Sequence, residues 1–191
     1  GVNGVMDPAE IENHIRPDWY HYPKTSLICL ENTHNRAGGT IYPIEKIEAA
    51  GKVAKTHSLK MHLDGARIFN ASVETGISLK EYCKYFDSIS FCFSKGLGAP
   101  VGSILCGKED FIERAHKYRK ILGGGMRQAG IIAAGALFAI ENNISRLKDD
   151  HKKARYFAGE ISKLDFVEIE LSSVQTNIVV FKTKKDASKI K

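Results

Sequence analysis

Two short apolar runs, each closed by one charged residue and a glycine, constrain this chain more than anything else in it. Residues 59–65 read Leu-Lys-Met-His-Leu-Asp-Gly, and residues 88–96 read Ser-Ile-Ser-Phe-Cys-Phe-Ser-Lys-Gly. Each is the length of one strand, and each delivers its charge, Asp64 or Lys95, where the strand stops. Helical patterns stand between the apolar runs up to about residue 120, an alternation that predicts a parallel α/β layer architecture. In such a sheet both strand ends open onto the same crevice at its carboxyl edge.

The two residues suit one chemistry. Desolvation disfavours an ammonium, so a lysine ending a buried strand can act as a free amine. A free amine condenses with a carbonyl, which is how a Schiff base with pyridoxal phosphate forms. Gly96, Gly98, Ala99 and Gly102 follow, with almost no side chain to obstruct a planar ring. A carboxylate against the pyridinium nitrogen keeps that ring an electron sink, and Asp64 is placed to be one. Each residue also has a plainer reading: Lys95 as a strand-terminal surface lysine, Asp64 as a cap for the turn beginning at Ala66. His62 shares a strand face with Asp64 and would either orient that carboxylate or be a satisfied core histidine.

Four stretches carry a resemblance: Leu30-Glu31-Asn32-Thr33-His34-Asn35, His62-Leu63-Asp64-Gly65-Ala66-Arg67, Ser94-Lys95-Gly96-Leu97-Gly98-Ala99-Pro100-Val101-Gly102 and Gly123-Gly124-Gly125-Met126-Arg127-Gln128. In these the chain resembles the L-threonine aldolase family of fold-type I pyridoxal phosphate enzymes. The resemblance implies a three-layer, parallel-type sheet of the cofactor-binding large domain, present in part as residues 1–145. The start of a small α+β domain would follow in 146–191. It implies pyridoxal 5'-phosphate as cofactor, held by Lys95 and Asp64, and aldol cleavage of L-threonine or L-allo-threonine to glycine and acetaldehyde. Arg67, three residues past Asp64, would help bind the substrate carboxylate and line the cofactor site, since a guanidinium matches a carboxylate in a planar fork. Arg127 and Lys120, with backbone amides of the glycine run at a helix amino terminus, would hold phosphate. His21 matches a family histidine near the substrate side chain and would take the β-hydroxyl proton. His34 and Asn35, in the loop after a strand, would line the site.

Two other functions share parts of this pattern. A β-eliminating lyase uses the same fold and lysine but releases pyruvate and ammonia. The resemblance also covers only the middle of a family member, leaving out the front portion and the tail of the small domain. A non-catalytic fragment or truncated paralogue is therefore a further expectation, as is an incomplete pocket in these 191 residues. The family implies homodimers or homotetramers.

The net charge of +6 raises nucleic acid as a partner. The lysines are dispersed over helix faces, however, and the one dense cluster (Lys182, Lys184, Lys185, Lys189 and Lys191) has no interleaved aromatics. No nucleic-acid partner is expected. The start carries no signal-peptide pattern and the longest apolar run, 130–140, is too short for a membrane span. Cysteines 29, 83, 92 and 106 have no CxxC spacing and read as small buried hydrophobes in a reducing, cytoplasmic compartment. The histidines show no metal-ligand pairing, so no metal is expected.

Local signals place the remaining elements. Asp7-Pro8-Ala9-Glu10 starts a helix that should stop near Arg16-Pro17. A strand is predicted over 25–30 and a helix over 44–57, with a short helix or turn over 66–75. Ser78-x-x-Glu81 is a capping box for a helix over 79–86. A strand over 101–106 precedes helices over 109–121, 128–143 and 146–164, and strands at 166–171 and 177–181 close the chain.

Overall fold

The computed structural model describes residues 1–184 and residue 186. Lys185, Lys189 and Lys191 of the basic cluster lie outside the described residues.

Helix α1 (Pro8–Asn13) starts as its sequence dictates. Asp7 accepts a hydrogen bond from the Ala9 amide, Glu10 turns back to the Asp7 amide, and Pro8 occupies the first turn. The helix ends earlier than the sequence pattern suggests. The His14 ring lies 2.7 Å from the Glu10 carbonyl, and the Arg16 amide donates to the Thr25 hydroxyl, so neither group seeks another helical turn.

Strands β1 (Leu27–Glu31), β2 (Lys60–Asp64), β3 (Ser88–Cys92) and β4 (Ser103–Gly107) form one sheet in that order. The first three are parallel, with Glu31 opposite Asp64 and Asp64 opposite Ser90. Helix α2 (Ile44–Thr56) makes the crossover from β1 to β2, and α3 (Ile68–Thr75) with α4 (Leu79–Cys83) the crossover from β2 to β3. Strand β4 runs antiparallel to β3. The connection over 93–102 is too short for a helical crossover, so the chain doubles straight back, with the Phe93 amide bonded to the Gly102 carbonyl.

Alternation along the strands divides the sheet into two faces. Ile28, Leu30, Met61 and Leu63 point into the main core, which also holds Ile47 and Ala50 of α2, Ile68 of α3 and Tyr82 of α4. The other face carries Leu27, Cys29, His62 and Ser88. Helix α5 (Glu109–Ile121) covers only its β4 end, where Phe111 abuts Gly107, and buries none of its own residues. Two expectations about burial are corrected. Strand β3 is only half-buried beyond Ser88, and Cys29 is exposed while Cys83, Cys92 and Cys106 are partly buried.

Helix α6 (Gly130–Asn143) begins two residues later than the pattern predicts, because Gln128 takes a positive φ of 48°. Helix α7 (Leu147–Ile161) buries Leu147, His151, Ala154 and Ala158, one stripe along its length. Leu147 joins the main core, whereas Ala154 and Ala158 join a second cluster with Val174. Two short strands, β5 (Val167–Glu168) and β6 (Lys182–Thr183), pair antiparallel. The strand expected at 177–181 has no ladder. The segment before it is bound to the loop after β1 instead, with the Thr176 hydroxyl donating to the Gly39 carbonyl and the Ile41 amide donating to the Gln175 side chain.

Candidate functional site

Asp64 and Lys95 follow adjacent parallel strands and emerge at the same edge of the sheet. Asp64 is the last residue of β2, and its carbonyl accepts from the Asn32 amide just past β1. One oxygen of its carboxylate accepts from the Ala66 amide at 3.0 Å, the capping role that the local sequence allows. The other oxygen has no hydrogen bond among the described residues. Lys95 lies three residues beyond β3, in a turn closed by the Gly98 amide donating to its carbonyl at 2.8 Å. Gly98 has a φ of 75°, a conformation that favours a residue without a β-carbon. The side chains of Lys95 and Asp64 are both exposed, so the packing around Lys95 does not supply the desolvation expected there.

A cleft of about 690 Å³ opens at the carboxyl ends of β1 and β2. Asp64, Glu31, His34, Arg36 and Tyr42 line it. His34 falls where the sequence places it. Its Nδ1 accepts from the Ala37 amide at 3.2 Å, and its Nε2 stands 3.6 Å from Glu31. Asn35 is not part of the lining; its amide donates to Glu31 at 2.9 Å. Glu31 and Arg36 were not expected there. The available signal was that Glu31 ends β1 as Asp64 ends β2, just before a polar loop.

The electrostatic reach of Asp64 shows at its neighbours. Desolvation by surrounding atoms, and then the negative charge of Asp64, push the Cys29 thiol up from its ordinary pKa. Burial chiefly pushes up the Tyr42 phenol, whose hydroxyl donates to the Met6 carbonyl. His62 fits neither reading, because it is partly exposed on the sheet face away from the main core. Its Nδ1 lies 2.8 Å from the Ser88 hydroxyl on the next strand, and it makes no hydrogen bond to Asp64.

Neither Lys95 nor the remaining expected residues are among those lining the Asp64 cleft. Arg67 precedes the first turn of α3, half-buried, with its carbonyl accepting from the Asn70 amide. His21 is exposed in the loop between α1 and β1, its ring edge-on to Trp19 and Tyr20. Lys120 and Arg127 are exposed on either side of the glycine run. That run corrects its expected geometry. The Gly123 and Gly124 amides bond back to the carbonyls of Lys120 and Arg119, so the run closes the carboxyl end of α5 and does not open the amino end of α6.

Comparison with known proteins gives the arrangement a context. The model of the beta-eliminating lyase family matches residues 1–184. The chain is 44% identical over 190 residues to low-specificity L-threonine aldolase 1 of Arabidopsis thaliana, covering 98% of this chain and 53% of that protein. It is 45% identical over 160 residues to the low specificity L-threonine aldolase of Escherichia coli strain K12, covering 84% and 47%. A threonine aldolase structure from Leishmania major superposes with a TM-score of 0.74 at 18% identity, over 92% of this chain and 52% of that one, a likeness of fold. The chain spans about half the length of the curated relatives it matches.

Proposed function

The chain belongs to the beta-eliminating lyase family, and from that premise we propose that it carries part of a pyridoxal phosphate site for cleaving β-hydroxy-α-amino acids. The reaction is aldol cleavage of L-threonine or L-allo-threonine to glycine and acetaldehyde. One observation carries the reading: an aspartate ends β2, and a lysine follows its parallel neighbour β3 by three residues, in a turn at the same edge of the sheet. The names of the relatives support the choice of reaction.

The donor set fits the cofactor. The Lys95 side chain is exposed and has no hydrogen bond among the described residues, leaving it open to covalent attachment, and Asp64 keeps one oxygen unbonded for a ring N–H. When bound, pyridoxal phosphate supplies the electron sink for the breaking Cα–Cβ bond. Asp64 would hold the proton on the ring nitrogen. Arg67 would pair with the substrate carboxylate, His21 would accept the β-hydroxyl proton, and Lys120 with Arg127 would bind phosphate. The domain division near residue 146 belongs to the same reading, supported by a second hydrophobic cluster beyond Leu147.

A homodimer or homotetramer is proposed as the working assembly. Helix α6 is apolar nearly all round, yet it buries only Ala139 and leaves Ile131 and Phe138 exposed. The four cysteines are free thiols, which supports a cytoplasmic location. Among the described residues no helix is long and apolar enough to cross a membrane.

Supplying the protein with pyridoxal phosphate and L-threonine or L-allo-threonine tests the reaction. Glycine and acetaldehyde in equal amounts are expected. 2-Oxobutanoate and ammonia would instead identify β-elimination, the chemistry in this family's name.

A further inference from the structure

His151 is fully buried on α7, far in sequence from the proposed site, yet it is wired to it. Its Nδ1 lies 2.8 Å from Glu74 Oε2 and its Nε2 lies 2.9 Å from Asn70 Oδ1, so one ring joins both ends of α3. Glu74 is fixed in turn by Arg155, one turn further along α7, at 2.9 Å. A polar ring is costly to bury unless both nitrogens find partners, and here both do.

Asn70 is the link to the site. It is 2% exposed, and its amide bonds to the Arg67 carbonyl at 2.9 Å, three residues after the residue assigned to the substrate carboxylate. Its side-chain nitrogen lies 3.5 Å from the place where a β-carbon on Gly96 would sit. Leu147, one turn before His151, puts Cδ2 only 2.8 Å from that same place. Gly96 is the residue after Lys95. Helix α7 thus grips the start of α3 through His151 and presses on the lysine turn through Leu147.

We propose that His151 is a positioning residue: by clasping Asn70 and Glu74 it seats α7, and through Asn70 and Leu147 it holds the Lys95 turn in register with Asp64. The proposal rests on Lys95 being the cofactor-bearing lysine. The sequence hid this residue because its partners on α3 are remote, although the stripe Leu147, His151, Ala154, Ala158 marks it as facing inward.

The test titrates pyridoxal phosphate, followed by absorbance, into the wild-type protein and into His151→Leu, Gly96→Ala and Gly96→Ala/Leu147→Ala variants. Circular dichroism establishes that each is folded. His151→Leu is expected to raise the Kd for pyridoxal phosphate at least tenfold, while KM for L-threonine at saturating cofactor stays within about twofold. Gly96→Ala should give a similar loss, because its methyl group meets Leu147. Removing that obstruction in the double variant should restore the Kd to within about threefold of wild type, a rescue that general destabilisation would not produce. Wild-type affinity in a folded His151→Leu variant overturns the proposal, as does a double variant that binds no better than Gly96→Ala. Should His151→Leu not fold, His151→Asn takes its place, with the same expected loss and the same overturning result. Borohydride reduction of the wild-type complex separates the two failures: a label absent from Lys95 removes the underlying reading and this proposal together, whereas a label on Lys95 with indifferent variants removes only this proposal.

Discussion

Asp64 caps a turn and is proposed to face the cofactor ring, and a single substitution separates the two roles. Its Oδ1 caps the turn at Ala66, a role that an amide oxygen fills equally well. Asp64→Asn is therefore expected to change stability by less than about 0.5 kcal/mol. Removing the charge should nonetheless lower cofactor-dependent cleavage by about 100-fold, the scale seen when one preorganised group facing developing charge is lost. The same variant should let the Cys29 thiol ionise at lower pH, because the Asp64 charge is one of the two causes raising it. Faster thiol labelling at fixed pH would register that change, and an unchanged turnover would refute the role given to Asp64. At this scale the sequence was legible where it marked strand ends. It was not legible for exposure: whether Lys95 lies open depends on what packs over the turn, and a strand pattern carries no information about that. Nor could alternation alone tell that His62 would choose Ser88 over Asp64.

At the scale of elements, local rules worked where local groups decide. The acidic cap before Pro8 forms as its spacing requires, whereas Ser78 makes only half of the expected box: its hydroxyl accepts from the Glu81 amide, the Glu81 carboxylate pairs with Lys84, and α4 ends at Cys83, short of residue 86. The glycine run misled because three glycines suit either end of a helix, and only the backbone conformation distinguishes them. Gly123 has a φ of 82° and no atom within 4 Å of where its β-carbon would sit. Gly123→Ala should therefore cost about 1 kcal/mol through conformation alone, with a Tm lower by roughly 2–4 °C in thermal unfolding. An unchanged Tm would mean that the left-handed cap is not needed. The strand expected at 177–181 was lost to tertiary bonds from Gln175 and Thr176 to the loop near Gly39, a competition that no local window contains.

For the molecule as a whole, the sheet order and its parallel half follow from the alternation of strands with helices, while the antiparallel turn into β4 follows from the short connection before it. The start of β2 is pinned by Asp87, which bonds to the Lys60 ammonium and the Met61 amide. Burial pushes the Asp87 carboxyl up, but the hydrogen bonds and charge of those partners outweigh it and leave its pKa lowered. A carboxylate lowered on folding stabilises the protein above its unfolded pKa of about 3.9, and that contribution disappears as pH falls through the lower folded value. Asp87→Asn should therefore flatten the dependence of stability on pH below about 4 in denaturant titrations. A slope equal to wild type would show that Asp87 does not couple folding to protons.

The central claim is that Lys95, in the turn after β3, carries the cofactor. The direct measurement is to load the protein with pyridoxal phosphate, reduce it with borohydride, digest it and locate the pyridoxyl group by mass spectrometry. The account predicts the group on Lys95; finding it on another lysine, or on none, would contradict the account.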